Sequence, residues 1–142
     1  MVNADDIAKL ARELATPMAN EARIRCSVSR AYYAAFHYCD LAANTWCKPL
    51  SKDDEKDRQT HQQLYHRLEN FSIDKTTEKD LQAMSQEAKN LRSLRVQADY
   101  YLNEKLDQKT IARSLNYMSQ VKLYLDSIKK VTTKDATNES KK

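Results

Sequence analysis

The chain has 142 residues, enough for one domain with a real hydrophobic core and too few for two ordinary ones. It contains no glycine and only two prolines, Pro17 and Pro49, so the hairpins and bulges of a sheet protein have nothing to turn on, and a Walker loop or dinucleotide-binding turn is excluded. Charged residues make up 31% of the chain and the formal net charge is +4, a modest basic excess that permits contact with RNA or another polyanion without requiring it.

Five helical segments follow in chain order, and an all-α fold is expected. Asn3 can cap a first helix, with Asp5 and Asp6 near its N-terminal dipole and Ile7, Leu10, Ala11 and Leu14 as an apolar stripe that Pro17 ends. A second helix from Glu21 to Trp46 is rich in alanine and aromatics, too apolar for a surface helix, and is expected at the centre of a bundle. Residues 48–55 are polar, contain Pro49 and show no apolar period, which predicts a loop. His61, Leu64, Tyr65, Leu68 and Phe71 space out a third helix from Asp57 to Phe71.

Thr77 with Asp80 has the pattern of a capping box that opens a fourth helix reaching Leu102, with Leu81, Met84, Ala88, Leu91, Leu94 and Ala98 on its core side. A fifth helix follows Asp107, where Ile111, Leu115, Met118, Val121, Leu125 and Ile128 recur at the helical period. After Val131 the composition cannot bury a core, so the domain is expected over 1–131 and a disordered polar tail over 132–142.

Cys26, Cys39 and Cys47 are an odd set with no metal-ligand spacing and are expected as free thiols. His61 and His66 diverge by about 140° around a helix and cannot chelate one ion from the same face, so neither metal nor cofactor is predicted. No apolar run approaches the roughly 18 residues of a membrane span, and a cytoplasmic protein without a membrane partner is expected.

The second helix carries Ser29-Arg30-Ala31-Tyr32-Tyr33-Ala34-Ala35-Phe36-His37. At about 100° per residue, Arg30 and His37 return to nearly one face, and an Arg–Tyr–His stripe results. Together with His61 at the start of the third helix and Leu91-Arg92-Ser93-Leu94-Arg95-Val96-Gln97-Ala98-Asp99-Tyr100 on the fourth, this segment resembles the three signature regions of small prokaryotic HEPN domains. The resemblance implies an antiparallel bundle of four to five helices, usually dimeric. Many members are metal-independent endoribonucleases of toxin–antitoxin, CRISPR-linked or phage-defence systems.

Metal-free cleavage of RNA needs a base for the 2′-hydroxyl, an acid for the leaving oxygen and a cation for the transition-state charge. Histidine titrates in the right range, and arginine grips phosphate through a planar fork. Arg30 and His37 are therefore the candidate catalytic pair. Tyr33, Arg92 and Arg95 are candidate RNA- or phosphate-binding residues, and Asp99 and Tyr100 belong to a supporting polar network. The ribonuclease members of the family carry their Arg–His motif near the start of the last long helix. Here Arg113 occupies that region, no histidine follows it, and the final histidine is His66.

Each residue also has a plainer reading. Arg30 can pair with Asp99 to fix helix register, His37 can be a hydrogen-bonded core histidine, and the tyrosines can pack at an interior or dimer interface. Arg95 and Asp99 have the spacing of an intrahelical ion pair. Two functions stay open: an RNA-associated HEPN protein of a toxin–antitoxin or phage-defence system acting as an endoribonuclease, or a non-catalytic homodimeric module that binds a nucleotide, RNA, an antitoxin or a nucleotidyltransferase partner.

Overall fold

The computed structural model describes the backbone of residues 1–140 and the side chains of residues 1–133. Among the described residues six helices form an all-helical bundle: α1 (Ala4–Leu14), α2 (Glu21–Trp46), α3 (Lys52–Lys56), α4 (Thr60–Asn70), α5 (Lys75–Tyr100) and α6 (Gln108–Ser140). No strand occurs among the described residues, only an isolated antiparallel bridge between Cys47 and Ser72. No helix among them is long and apolar enough to cross a membrane.

The first helix starts as its sequence predicts. The Asn3 side chain accepts from the Asp6 amide while the Asp6 carboxylate accepts from the Asn3 amide, so two N-terminal donors are satisfied at once. Its apolar stripe is rotated from the expected one. Ala8 and Ala11 are buried, whereas Leu10 is 43% exposed. The small residues let α1 lie close against α2, where the buried Ser27 hydroxyl donates to the Ala11 carbonyl at 2.8 Å.

As expected, α2 is the central element, packing against α1, α4, α5 and α6. Its buried face mixes alanines (Ala31, Ala34, Ala35, Ala42, Ala43) with Val28, Tyr32 and Tyr38, so neighbouring backbones approach closely around a few large side chains. Leu81, Met84, Ala88 and Leu91 of α5 and Met118, Val121, Leu125 and Ile128 of α6 complete the main core. Each large apolar side chain so buried contributes about 1.5–3 kcal/mol. A second cluster of Ile24, Val28, Leu94, Ala98, Leu106 and Ile111 closes one end of the bundle.

Several boundaries differ from the sequence reading. The expected loop 48–55 contains α3, because the Ser51 hydroxyl accepts from the Asp54 amide and three acidic residues, Asp53, Asp54 and Glu55, occupy the first turn, where the helix dipole favours them. Consequently α4 begins at Thr60 and not at Asp57. The cap of α5 is Asp74, which accepts from the Thr76 amide, whereas Thr77 is buried and spends its hydroxyl on the Asp74 carbonyl. That helix also stops at Tyr100, short of Leu102. Asp107, by contrast, accepts from the amides of Lys109 and Thr110 and opens α6 where expected. Of the predicted tail 132–142, the side chains from 134 onward and residues 141–142 altogether lie outside the described residues.

Cys26 is exposed, Cys39 and Cys47 are buried, and all three are free thiols. Burial pushes the Cys47 thiol up to about 11, so it stays protonated near neutral pH.

Candidate functional site

Helical spacing assembles a cavity between α4 and α5. His61 and Tyr65 are one turn apart on α4, Lys89, Arg92 and Val96 follow each other on one face of α5, and Tyr101 closes the mouth from the segment after α5. The cavity has a volume of about 460 Å³, large enough for a small organic ion or one nucleotide unit of a polymer.

Behind its His61 and Tyr65 side chains runs a polar chain. The Tyr32 hydroxyl of α2 lies 2.5 Å from His61 Nδ1 and 2.7 Å from the Tyr65 hydroxyl. Burial pushes both tyrosine hydroxyls above their ordinary range, so both remain protonated hydrogen-bonding groups. Burial, and then the nearby charges of Arg92 and Arg95, hold the His61 imidazole below its ordinary value. His61 is therefore neutral at neutral pH, and its ring is fixed by an edge contact with Phe36 at 5.1 Å between centroids.

The two cations on the wall differ. Lys89 Nζ pairs with Glu69, whose carboxylate also accepts from the Ser85 hydroxyl at 2.7 Å. Burial pushes the Glu69 carboxyl up, but the hydrogen bonds and charge of Lys89 with the Ser85 bond outweigh it and keep it below the usual carboxylate range. Arg92 makes no hydrogen bond, ion pair or ring contact with a described residue, and its Nε is buried without an acceptor. A guanidinium in that position is an open charge facing a cavity, suited to an oxyanion.

The sequence-predicted residues divide over three places. Arg92 lies in this cavity. Arg95 lies beside it, its guanidinium 5.7 Å from the Tyr32 ring centre, 6.0 Å from Tyr33 and 5.5 Å from Tyr100. Arg95 also takes the partner expected for Arg30: its Nε stands 2.8 Å from Asp99 Oδ2, an ion contact whose angle does not make a hydrogen bond. The second partner of Asp99 is the Ser29 hydroxyl at 3.3 Å. Arg30 instead lies over the Tyr33 ring at 4.5 Å and lines a separate cavity of about 420 Å³ with Ser29 and Asp99.

His37 is exposed two turns further along α2, edge-on to Phe36 at 5.7 Å and lining a different cavity, of about 170 Å³, with Asp5, Tyr38 and Lys122. Arg30 and His37 make no contact; two helical turns separate them by about 10.5 Å along α2. Arg30 and Arg95 both approach the Tyr33 ring, whereas Arg92 and His37 line two other cavities. The imidazole that does stand near Arg92 is His61, which the signature pattern included but the choice of site residues passed over, along with Tyr65, Lys89 and Tyr101. The one signal for them was spacing: His61 and Tyr65 at i, i+4, and Lys89, Arg92 and Val96 at i, i+3, i+7.

No family model, curated protein or solved structure matches this chain.

Proposed function

We propose that the chain is an RNA-associated protein of the HEPN kind that seats a phosphate of single-stranded RNA on Arg92, and that it serves in a toxin–antitoxin or phage-defence setting. The observation that carries this reading is the unpartnered Arg92 guanidinium, partly buried on the wall of a cavity. Holding such a charge without an acceptor costs stability, and a bound oxyanion offsets that cost. Lys89 supplies a second cation, and neutral His61 with the tyrosine hydroxyls supplies uncharged polar groups around the phosphate. The separation of Arg30 from His37 favours binding by a homodimeric module over cleavage by that pair.

A second reading, metal-independent cleavage, draws on the neutral imidazole of His61 beside Arg92, the residue types that proton removal and phosphate stabilisation need. Incubating the protein with labelled unstructured RNA in EDTA tests both. Binding predicts a gel shift that weakens with salt through counterion release and disappears in Arg92→Ala. Cleavage predicts fragments ending in a 2′,3′-cyclic phosphate that His61→Ala abolishes. Intact RNA with no shift at micromolar protein would refute the proposal.

A further inference from the structure

Around the C-terminus of α5 the surface carries more aromatic area than an isolated soluble face needs. Tyr100 is 66% exposed, Tyr101 is 53% exposed, and Tyr33 stands across from them on α2, itself 36% exposed. Arg95 joins the two sides, with its guanidinium within 6.0 Å of the Tyr33 ring centre and 5.5 Å of Tyr100. Tyr101 belongs at once to this surface and to the wall of the Arg92 cavity.

The segment that displays these rings is pinned. Arg25 donates to the carbonyls of Gln97 at 3.1 Å, Ala98 at 2.8 Å and Tyr101 at 3.3 Å, and also to that of Glu104. One half-buried guanidinium thereby satisfies carbonyls that the end of α5 leaves open. Rings held on a fixed backbone lose little freedom when something stacks on them.

Charge decides between the two occupants that an aromatic surface of this kind attracts. Asp99 is neutralised by Arg95, which leaves Arg30 and Arg92 as the flanking cations without carboxylate partners among the described residues. A second copy of the chain docked about a twofold would bring this positive patch against its own image. A nucleic-acid strand brings a phosphate for each base instead. A duplex hides its base faces, so only a single strand offers rings and phosphates together.

We infer that Tyr33, Tyr100 and Tyr101 form a stacking platform for the bases of single-stranded nucleic acid, continuous with the phosphate pocket at Arg92. The inference rests on the RNA-binding reading above and adds to it that bases, as well as phosphates, carry the affinity.

The test compares two fluorescently labelled strands of equal length and charge by anisotropy: a single-stranded RNA oligomer and an abasic sugar-phosphate oligomer. The base-bearing strand is expected to bind about 5- to 100-fold more tightly. Tyr100→Ala, whose ring lies outside the Arg92 cavity, should remove much of that difference, leave abasic binding unchanged and lower the melting temperature by no more than the loss of one exposed Arg95 contact, and Tyr101→Ala should also shrink the difference. Arg92→Ala should weaken both strands alike. Equal affinity for the two strands, or tyrosine variants that bind as the parent does, would overturn the platform while leaving phosphate binding standing. Failure of both strands to bind would instead remove the RNA-binding reading, and the platform with it. Loss of a sedimenting dimer in Tyr100→Ala with RNA affinity unchanged would assign the surface to a second copy of the chain and overturn the inference.

Discussion

The Tyr32 hydroxyl stands 2.5 Å from His61 Nδ1 and 2.7 Å from the Tyr65 hydroxyl, so one buried oxygen on α2 holds two successive turns of α4. A hydroxyl has one proton, so it donates to one neighbour and accepts from the other. His61 and Tyr65, which line the cavity, are therefore tied together from behind by one side-chain atom.

Tyr32→Phe should destabilise the fold by about 1–3 kcal/mol, because the Tyr65 hydroxyl and His61 Nδ1 lose their shared partner while the ring keeps its packing. Thermal unfolding followed by circular dichroism should show a drop of about 2–8 °C. Tyr65→Phe should cost less, since the Tyr32–His61 bond survives. Equal melting temperatures for Tyr32→Phe and the parent would show that the chain of hydroxyls adds nothing to stability.

The lowered pKa of His61 gives stability a pH dependence of known sign. Between the depressed folded value and the ordinary value of 6.5, the unfolded chain binds a proton that the folded one does not. Stability should therefore fall as pH drops below that ordinary value and level off, for this group, below the folded one. His61→Gln should flatten that part of the profile in urea unfolding measured from pH 8 to pH 5; an unchanged slope would remove His61 as its source.

Removing Arg95 and removing Arg30 should have unequal effects. Arg95 pairs with Asp99 and lies near three tyrosine rings, so Arg95→Ala should cost about 2 kcal/mol. Among the described residues Arg30 has one aromatic partner, the exposed Tyr33, and Arg30→Ala should cost no more than about 1 kcal/mol. Denaturant melts rank the two, and the reverse order would return the Asp99 partnership to Arg30.

Arg92→Met should leave stability unchanged or raise it. The substitution removes a charge whose Nε has no acceptor and keeps the aliphatic stem against the cavity wall. Calorimetry without ligand checks this, and a loss of more than about 1 kcal/mol would show that Arg92 holds the fold together.

Composition and periodicity determined the helical class and most of the core. A chain without glycine cannot build hairpins cheaply, and the residues at helical spacing on α5 and α6, from Leu81 to Ala98 and from Met118 to Ile128, are the ones found buried. Asn3 and Asp107 announced their helices because an N-cap interaction spans only two or three residues of chain. The same locality hid α3, which is too short to show a period, and the Thr77–Asp80 pattern drew attention away from Asp74, the cap three residues earlier. The site depended on more. Asp99 had two arginines within reach in principle, and the one a turn away on its own helix prevailed over Arg30 on a neighbouring helix because α5 itself brings Arg95 alongside Asp99. His61 and Arg92 meet because α4 turns its first residues toward one face of α5, whereas His37 shares a helix face with Arg30 yet stands two turns away and lines a different cavity. Periodicity tells which residues share a face of one helix; which faces meet is set by how the helices rotate and cross, and that depends on the packing of the whole core.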